Sequence, residues 1–555
     1  MQKIHTWLSR CEETHDYCTD TSLRMGTFFP TRIIDVQRAG IGIVTLRYRD
    51  EVETPRLGVE KHVEGKLYPH YWTLSHRWSD PDEFLQLRQD TEHLLRGGVD
   101  LNNFSRTFCD AMLLVFRLGY RYIWIDSLCI LQGSPDDWQK EASTMVDVYR
   151  HTFCNISATA AAEDPSGGGL FRPRIPCPRN YLYPFEVDVQ IDTVVHGNLS
   201  GPWMIWNDSI WGQHVEHRLL NGRGWVMQER FLSPRTMHFT EAQIYWECLN
   251  GQLAEIDPED KLNLQLESMS ETVLGHKASR VMLIQMQKEL GFPGQRQGDL
   301  FHARKDFPYH HHWTKCVEDY TACKLTKESD RLVAISGIVK AFRHATGDRY
   351  LAGLWESTIS FDLGWQCHGS DEEGSSVLRS QSYAPSWSWA SVVGERNVTT
   401  APDSGLETSL IRFIGARITP DPPEGGDPDG LLLAAELDIE CSIYYFLWEG
   451  ARKPFTTEKF STYYDQAKTQ PYYFARTRPR ESLFLDTSDI VRQFTEAGKV
   501  EGICTLLWMG SIAKFLLLKR DRDDKYRRIG VFRTDYIGSK LTGKVHNPRS
   551  RITLI

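Results

Sequence analysis

Several groups of residues have side chains and spacing suited to chemistry. Cys11, His15 and Cys18 stand at i, i+4 and i+7, so a helix would carry them on one face. Thiolates and an imidazole suit zinc, but a closed tetrahedral site needs a fourth ligand and no neighbour in sequence supplies it. No metal is assigned on that basis. His310, His311 and His312 with Cys316 form a second cluster, in which adjacent histidines point different ways; packing and solvent account for it. Ser75, His76, Arg77 and Trp78 put a hydroxyl, an imidazole, a guanidinium and an indole in four consecutive positions. Arg77 reads equally as an ion-pair partner and as a phosphate contact. Cys129 would need His76 close in space to act as a nucleophile, and its flanks Leu128 and Ile130 favour a buried, inert thiol instead. Asp126, beside Ser127, suits a loop cap as well as a ligand contact. Glu141 lies about 60° around a helix from Trp138, at the border of its apolar face, where a solvated or ion-paired carboxylate is the ordinary case. Glu229 and Arg230, in the run Gln-Glu-Arg, read as buried polar links between segments, with direct catalysis the less favoured alternative. Gly538 to Lys544 spells a phosphate-binding loop up to Val545, which stands where serine or threonine is required. No G-x-G-x-x-G run opens a helix, so neither a P-loop nucleotidase nor a Rossmann oxidoreductase is expected.

The elements that must position these residues are legible in the hydrophobic pattern. A short helical pattern around Trp7, Leu8 and Cys11 precedes strand-like runs at 31–36 and 40–48. Tyr71 to Ser75 reads as a buried strand. Phe104, Phe108, Ala111, Met112 and Val115 recur at helical spacing, and Gly119 ends that helix. Tyr122 to Asp126 is a second strand. Ser134 caps a helix with Pro135 at its first position and Asp136 and Asp137 in its first turn. A third strand follows at 154–159. This alternation predicts an α/β domain with a mainly parallel sheet flanked by helices. An amphipathic helix is expected at 329–343, and beyond about residue 350 short aromatic and β-branched runs predict a β-rich region.

Composition narrows the class. At 555 residues the chain is long enough for two or three domains. A net charge of −9 argues against a nucleic-acid or anionic-membrane partner. The one dense basic stretch, 519–528, is interrupted by Asp521, Asp523 and Asp524 and reads as a solvated hairpin turn. The longest apolar run, 505–518, contains Gly510 and Lys514 and is too short to cross a bilayer. Twelve cysteines and a polar start (Met1-Gln-Lys-Ile-His) predict free thiols and a cytoplasmic protein.

Three segments, in order, resemble the heterokaryon-incompatibility (HET) domain of filamentous fungi. They are Tyr71-Trp-Thr-Leu-Ser-His-Arg-Trp78, Tyr122-Ile-Trp-Ile-Asp-Ser-Leu-Cys-Ile-Leu-Gln132 continuing to Tyr149, and Arg223-Gly-Trp-Val-Met-Gln-Glu-Arg-Phe-Leu-Ser-Pro-Arg235, closed by Trp246-Glu-Cys248. Asp330 to Gly337 and Ala384 to Ser391 resemble stretches found downstream in such proteins. The sequence departs from the pattern at His76, Ser79 and Leu131, where an aromatic, a glycine and an acid or amide are usual. The resemblance implies a cell-death effector in fungal nonself recognition.

Residues 74–80, and Trp138 followed by Glu141, are more faintly similar to Toll/interleukin-1 receptor (TIR) domains, some of which cleave the nicotinamide–ribose bond of NAD. That similarity implies a TIR-like sheet, Glu141 as catalytic carboxylate, and Ser75, His76, Arg77, Trp78, Asp126 and Trp138 around a bound NAD, a substrate rather than a cofactor. The alternative is a non-enzymatic signalling or oligomerisation module. Under either reading a protein partner or self-assembly is expected. The organisation expected is 1–66, a helix and strands packing on the core; 67–250, the HET domain; 251–350, a mainly helical connector; and 351–555, the β-rich region.

Overall fold

A computed structural model describes residues 1–18, 28–53, 68–78, 84–163, 168–174, 185–189, 192–193, 197–198, 201–205, 210–257, 276–290, 308–369, 378–379, 384–393, 396–399, 408–424, 426–449, 460–461, 482–487, 490, 499–509, 513–521, 523–534 and 549–555. The chain forms two compact units, Met1–Ile284 and Gln285–Ile555. The P-loop-like run at 538–544 lies outside the described residues.

The first unit is built on one nine-stranded sheet. Its strands are β1 (Arg32–Asp35), β2 (Ile43–Tyr48), β3 (Tyr71–Ser75), β4 (Val99–Asp100), β5 (Tyr122–Trp124), β6 (Cys154–Ser157), β7 (Arg235–Phe239), β8 (Ile244–Cys248) and β9 (Gly251–Ala254). Their spatial order is β9-β8-β7-β6-β3-β5-β1-β2-β4. The centre, β7-β6-β3-β5, is parallel, and the strands on either side of it run antiparallel. Every residue of β3 and β6 is buried, the polar Thr73, Ser75, Asn155 and Ser157 included, so neither strand alternates between a buried and an exposed face. The residue 31–48 region does more than pack on this core: β1 and β2 are strands of the same sheet.

Helices flank the sheet: α1 (Gln2–Thr14), α2 (Arg106–Arg117), a single turn α3 (Asp126–Cys129), α4 (Pro135–Arg150), α5 (Gly224–Leu232) and α6 (His276–Leu290). Local chemistry sets their ends. The Ser105 hydroxyl accepts from the Phe108 amide to open α2, and Gly119 takes φ +86° just beyond it. Ser134 accepts from the Asp137 amide with Pro135 at the first position of α4. α4 and α5 pack against each other, so the residue 134–150 and 223–235 segments are spatial neighbours.

Among the described residues the second unit combines the helices Pro308–Ala322 and Ser336–Thr346 and a single turn, Ile359–Asp362, with a ten-stranded, mainly antiparallel sheet drawn from strands between Thr408 and Leu554. Its helical part buries Trp313 edge-on to Trp355 and Phe342. Trp387 and Trp389 of the Ser-Trp-Ser-Trp run are fully buried, Trp389 donating to the Gly353 carbonyl at 2.6 Å. The helix expected from 329 begins instead at Ser336, because Glu328–Arg331 forms a 3-10 turn. The basic 519–528 stretch does form a hairpin turn, with Asp524 at φ +61°. Its last residue is not solvated, however: Arg528 is buried against Asp486 and over the Trp365 ring. No helix is long and apolar enough to cross a membrane among the described residues.

Candidate functional site

Because β3, β5 and β6 are parallel, their carboxyl ends meet at one rim of the sheet, the usual location of ligand sites in open α/β folds. Ser75 ends β3. Its hydroxyl donates to Glu229 of α5 at 2.5 Å and accepts from the Asn155 amide of β6 at 2.9 Å. Tyr149 of α4 also hydrogen-bonds Glu229. Burial, reinforced by the nearby charge of Asp126, pushes Glu229 up to about 7, against the pull of Ser75, Arg223 and Tyr149. Among the described residues no guanidinium or ammonium hydrogen-bonds this carboxyl. It is a buried acid poised to ionise at neutral pH.

The next residues along the rim form a second group. Asp126, two residues past the end of β5, holds His76 Nε2 at 2.8 Å, Trp78 Nε1 at 2.7 Å and its neighbour's amide, Ser127 N, at 2.6 Å. Burial alone would raise Asp126, but His76, Trp78 and the Ser127 amide outweigh it and hold the carboxyl below its ordinary range. The His76 and Trp78 rings lie nearly parallel, and Phe108 meets His76 edge-on. Arg223, just before α5, donates to the His76 carbonyl at 2.6 Å, which ties the third segment to the first. Arg77 is exposed at the strand end and donates to the Ala162 carbonyl at 3.2 Å.

Glu141 belongs to an adjoining cluster. It is 2% exposed, and Arg32 of β1 approaches its Oε1 at 3.4 Å while binding Asp137 at 2.5 and 2.7 Å. Asp137 also accepts from the Leu131 amide. Trp138 is half-buried on the same helix. Cys129 lies between the two groups, within reach of the charges of Arg32, Glu141 and Asp126. Burial pushes its thiol up to about 12, so it is the inert thiol its apolar flanks suggested.

The structure thus unites Ser75, His76, Trp78 and Asp126 with two residues the sequence reading left outside the site, Glu229 and Tyr149. The Gln-Glu-Arg run divides between two jobs. While Glu229 faces Ser75, Arg230 forms a buried two-bond pair with Glu247, which also meets His238 at 3.3 Å. Residues 71–229 match the family model described as Heterokaryon incompatibility protein (HET). The chain carries a HET domain. That span opens on the first residue of β3 and closes on Glu229, so the whole strand-end cluster of the HET domain lies within it. Its role is accordingly one related to heterokaryon incompatibility. No curated protein and no solved structure matches the chain.

Among groups that could hold a metal, the His310 cluster does not assemble: His310 Nε2 is engaged by Asp362 at 2.6 Å. Cys11, His15 and Cys18 do converge, and Cys248 joins them at the opposite rim of the HET-domain sheet.

Proposed function

We propose that this HET domain is a cell-death effector in fungal nonself recognition and that it acts by hydrolysing the nicotinamide–ribose bond of NAD. In that reaction the C1′–N1 bond breaks, nicotinamide keeps the bonding pair and leaves neutral, and no general acid is required. Water adds to C1′, and the proton it loses passes to a carboxylate and then to solvent. The enzyme's main task is to stabilise positive charge developing on the ribose. A buried carboxylate without a bonded cation is suited to it, because a developing cation favours its ionised form. Glu229 on Ser75 is such a group, and this observation carries the reading. Glu141, the carboxylate the TIR similarity implies, already faces Arg32, so its charge is partly offset; Glu229 is the preferred nucleophile-side group and Glu141 supports the rim. Trp78 and Trp138 are the candidate aromatic walls for the base, and Arg77 the candidate pyrophosphate contact. Asp126 with His76 holds the strand end that carries Arg77 and Trp78. A protein partner or self-assembly in the cytosol would supply the trigger.

The test is direct. Purified full chain, concentrated or with a crowding agent to permit assembly, is incubated with NAD and nicotinamide is measured by chromatography. Wild type should release it, Glu229→Gln should lose about a hundredfold or more in rate, and Glu141→Gln should retain most of it. Release that survives Glu229→Gln but not Glu141→Gln moves the carboxylate to Glu141. One observation favours a second reading, an interaction module without chemistry: Ser75, His76 and Glu229 are buried, Asp126 is partly buried, and the four satisfy one another's hydrogen bonds in pairs, as a structural hub would. No release from assembled wild type would select it.

A further inference from the structure

The N-terminal helix brings an unusual set of side chains to the sheet. Cys11 sits in the last turn of α1, buried. His15 follows with extended backbone (φ −102°, ψ +98°), which redirects the chain so that Cys18, also buried, returns toward Cys11. The fourth member is Cys248, the last residue of β8, directly across the ladder from Arg235, the first residue of β7. The four ligand atoms, three sulfurs and one imidazole nitrogen, all lie within 4.8 Å of one another. A tetrahedral zinc with bonds of about 2.3 Å to sulfur needs edges of about 3.8 Å. His15 Nδ1 and Cys248 Sγ are already 3.4 Å apart.

The surroundings are those of a charged centre. The Arg235 guanidinium is fully buried and donates from Nε to Cys11 Sγ at 3.1 Å; its other bond goes to the Phe153 carbonyl, and its Nη2 has no partner. The Asn250 amide points at Cys248 Sγ at 3.4 Å. Donors aimed at sulfur are the outer shell that metal-bound thiolates take.

We propose that Cys11, His15, Cys18 and Cys248 bind one zinc(II) ion in a closed, tetrahedral, structural site. Three thiolates and a neutral imidazole around zinc carry one net negative charge, which offsets the one positive charge of Arg235. With three neutral thiols that buried cation would face a carbonyl and an uncharged sulfur, with the field of Glu12 as the remaining anion. A soft, thiolate-rich set with no open position selects zinc and serves structure rather than catalysis. Location agrees. Cys248 marks the amino-terminal rim of the parallel strands, about 15 Å along the strands from the Ser75–Glu229 rim. The ion would clamp α1, whose Trp7 packs on Trp246, to the sheet. All four ligands fall outside the matched HET span of 71–229.

The full chain, expressed with zinc and dialysed, should contain about one zinc per chain by elemental analysis. Cys18→Ser and Cys248→Ser should fall below about a tenth of that, while Cys109→Ser, a thiol on α2 bonded to the Leu101 carbonyl, should keep it. Because ligand variants can unfold, wild type is also treated with a mercurial: zinc should be released in step with thiol modification, and cobalt in its place should show the visible bands of a tetrahedral thiolate centre. Less than a tenth of an equivalent in wild type, zinc retained by Cys248→Ser, or a thiol count in denaturant two short of the twelve cysteines (a disulfide in the cluster) would each overturn the assignment.

Discussion

Glu229→Gln offers a quantitative probe of the strand-end rim. The substitution keeps the shape and an acceptor for Ser75 and Tyr149 but removes the ionisable group. In the folded chain burial holds Glu229 at about 7, against 4.5 for an ordinary glutamate. Between those values the unfolded chain releases the proton while the folded chain retains it, so every rise in pH favours unfolding. The stabilisation is intact below about pH 4.5 and is lost as pH climbs through 7. At 1.36 kcal/mol per pH unit the loss amounts to about 3 kcal/mol by pH 8, a sizeable share of a typical 5–15 kcal/mol total. Glutamine titrates nowhere, so wild type should lose about 3 kcal/mol relative to the variant between pH 4 and pH 8. Other groups shared by both proteins, Lys277 among them, cancel in the difference. Denaturant-dependent hydrogen exchange on peptides covering residues 145–160 follows the first unit by itself. A wild-type-minus-variant difference that stays flat across that range, or that grows in wild type's favour with pH, would show that Glu229 is an ordinary ionised carboxylate and would remove the argument built on it.

Two further substitutions test the neighbouring groups. Asp126→Asn weakens three hydrogen bonds at once and should cost about 2 kcal/mol at pH 7 by chemical denaturation. Since the folded Asp126 carboxyl is held below its ordinary range, its contribution is present above pH 4 and fades as pH falls further; the variant should show a flatter acid limb. Arg32→Ala strands Asp137 and Glu141 without their cation and should cost about 3–5 kcal/mol. Adding Glu141→Gln to it should recover part of that loss, a coupling that a double-mutant cycle on the same denaturation curves would reveal.

What could be read from sequence were the elements whose cause is local. Tyr71–Ser75 is the observed strand at both ends, and the Ser134–Pro135 start of α4 and the Gly119 stop after α2 follow from capping chemistry within a few residues. The parallel centre followed from the strand–helix alternation, but the antiparallel wings depend on pairings that no local pattern encodes. The site residues show the same divide. Ser75, His76 and Trp78 lie within four consecutive positions, so their clustering was legible. Glu229 meets Ser75 across 154 positions, and only the packing of α5 beside the parallel strands makes them neighbours. Glu141 sits on the border of an apolar face and reads as solvated, yet Arg32, 109 residues earlier, buries it. Cys248 likewise reaches Cys11 only because β8 folds back along β7. The signal that could have flagged Glu229 was its helix: Gly224–Leu232 is apolar around most of its circumference, so a glutamate there must be buried against a partner.

The central claim is that the acid at the ends of the parallel strands does chemistry on a pyridine nucleotide. It is tested most directly by the intracellular NAD concentration after induced expression of the chain in a fungal host. Wild type should drain the pool before viability falls, and Glu229→Gln, expressed to the same level, should leave both unchanged. Cell death at an undiminished NAD concentration would contradict it.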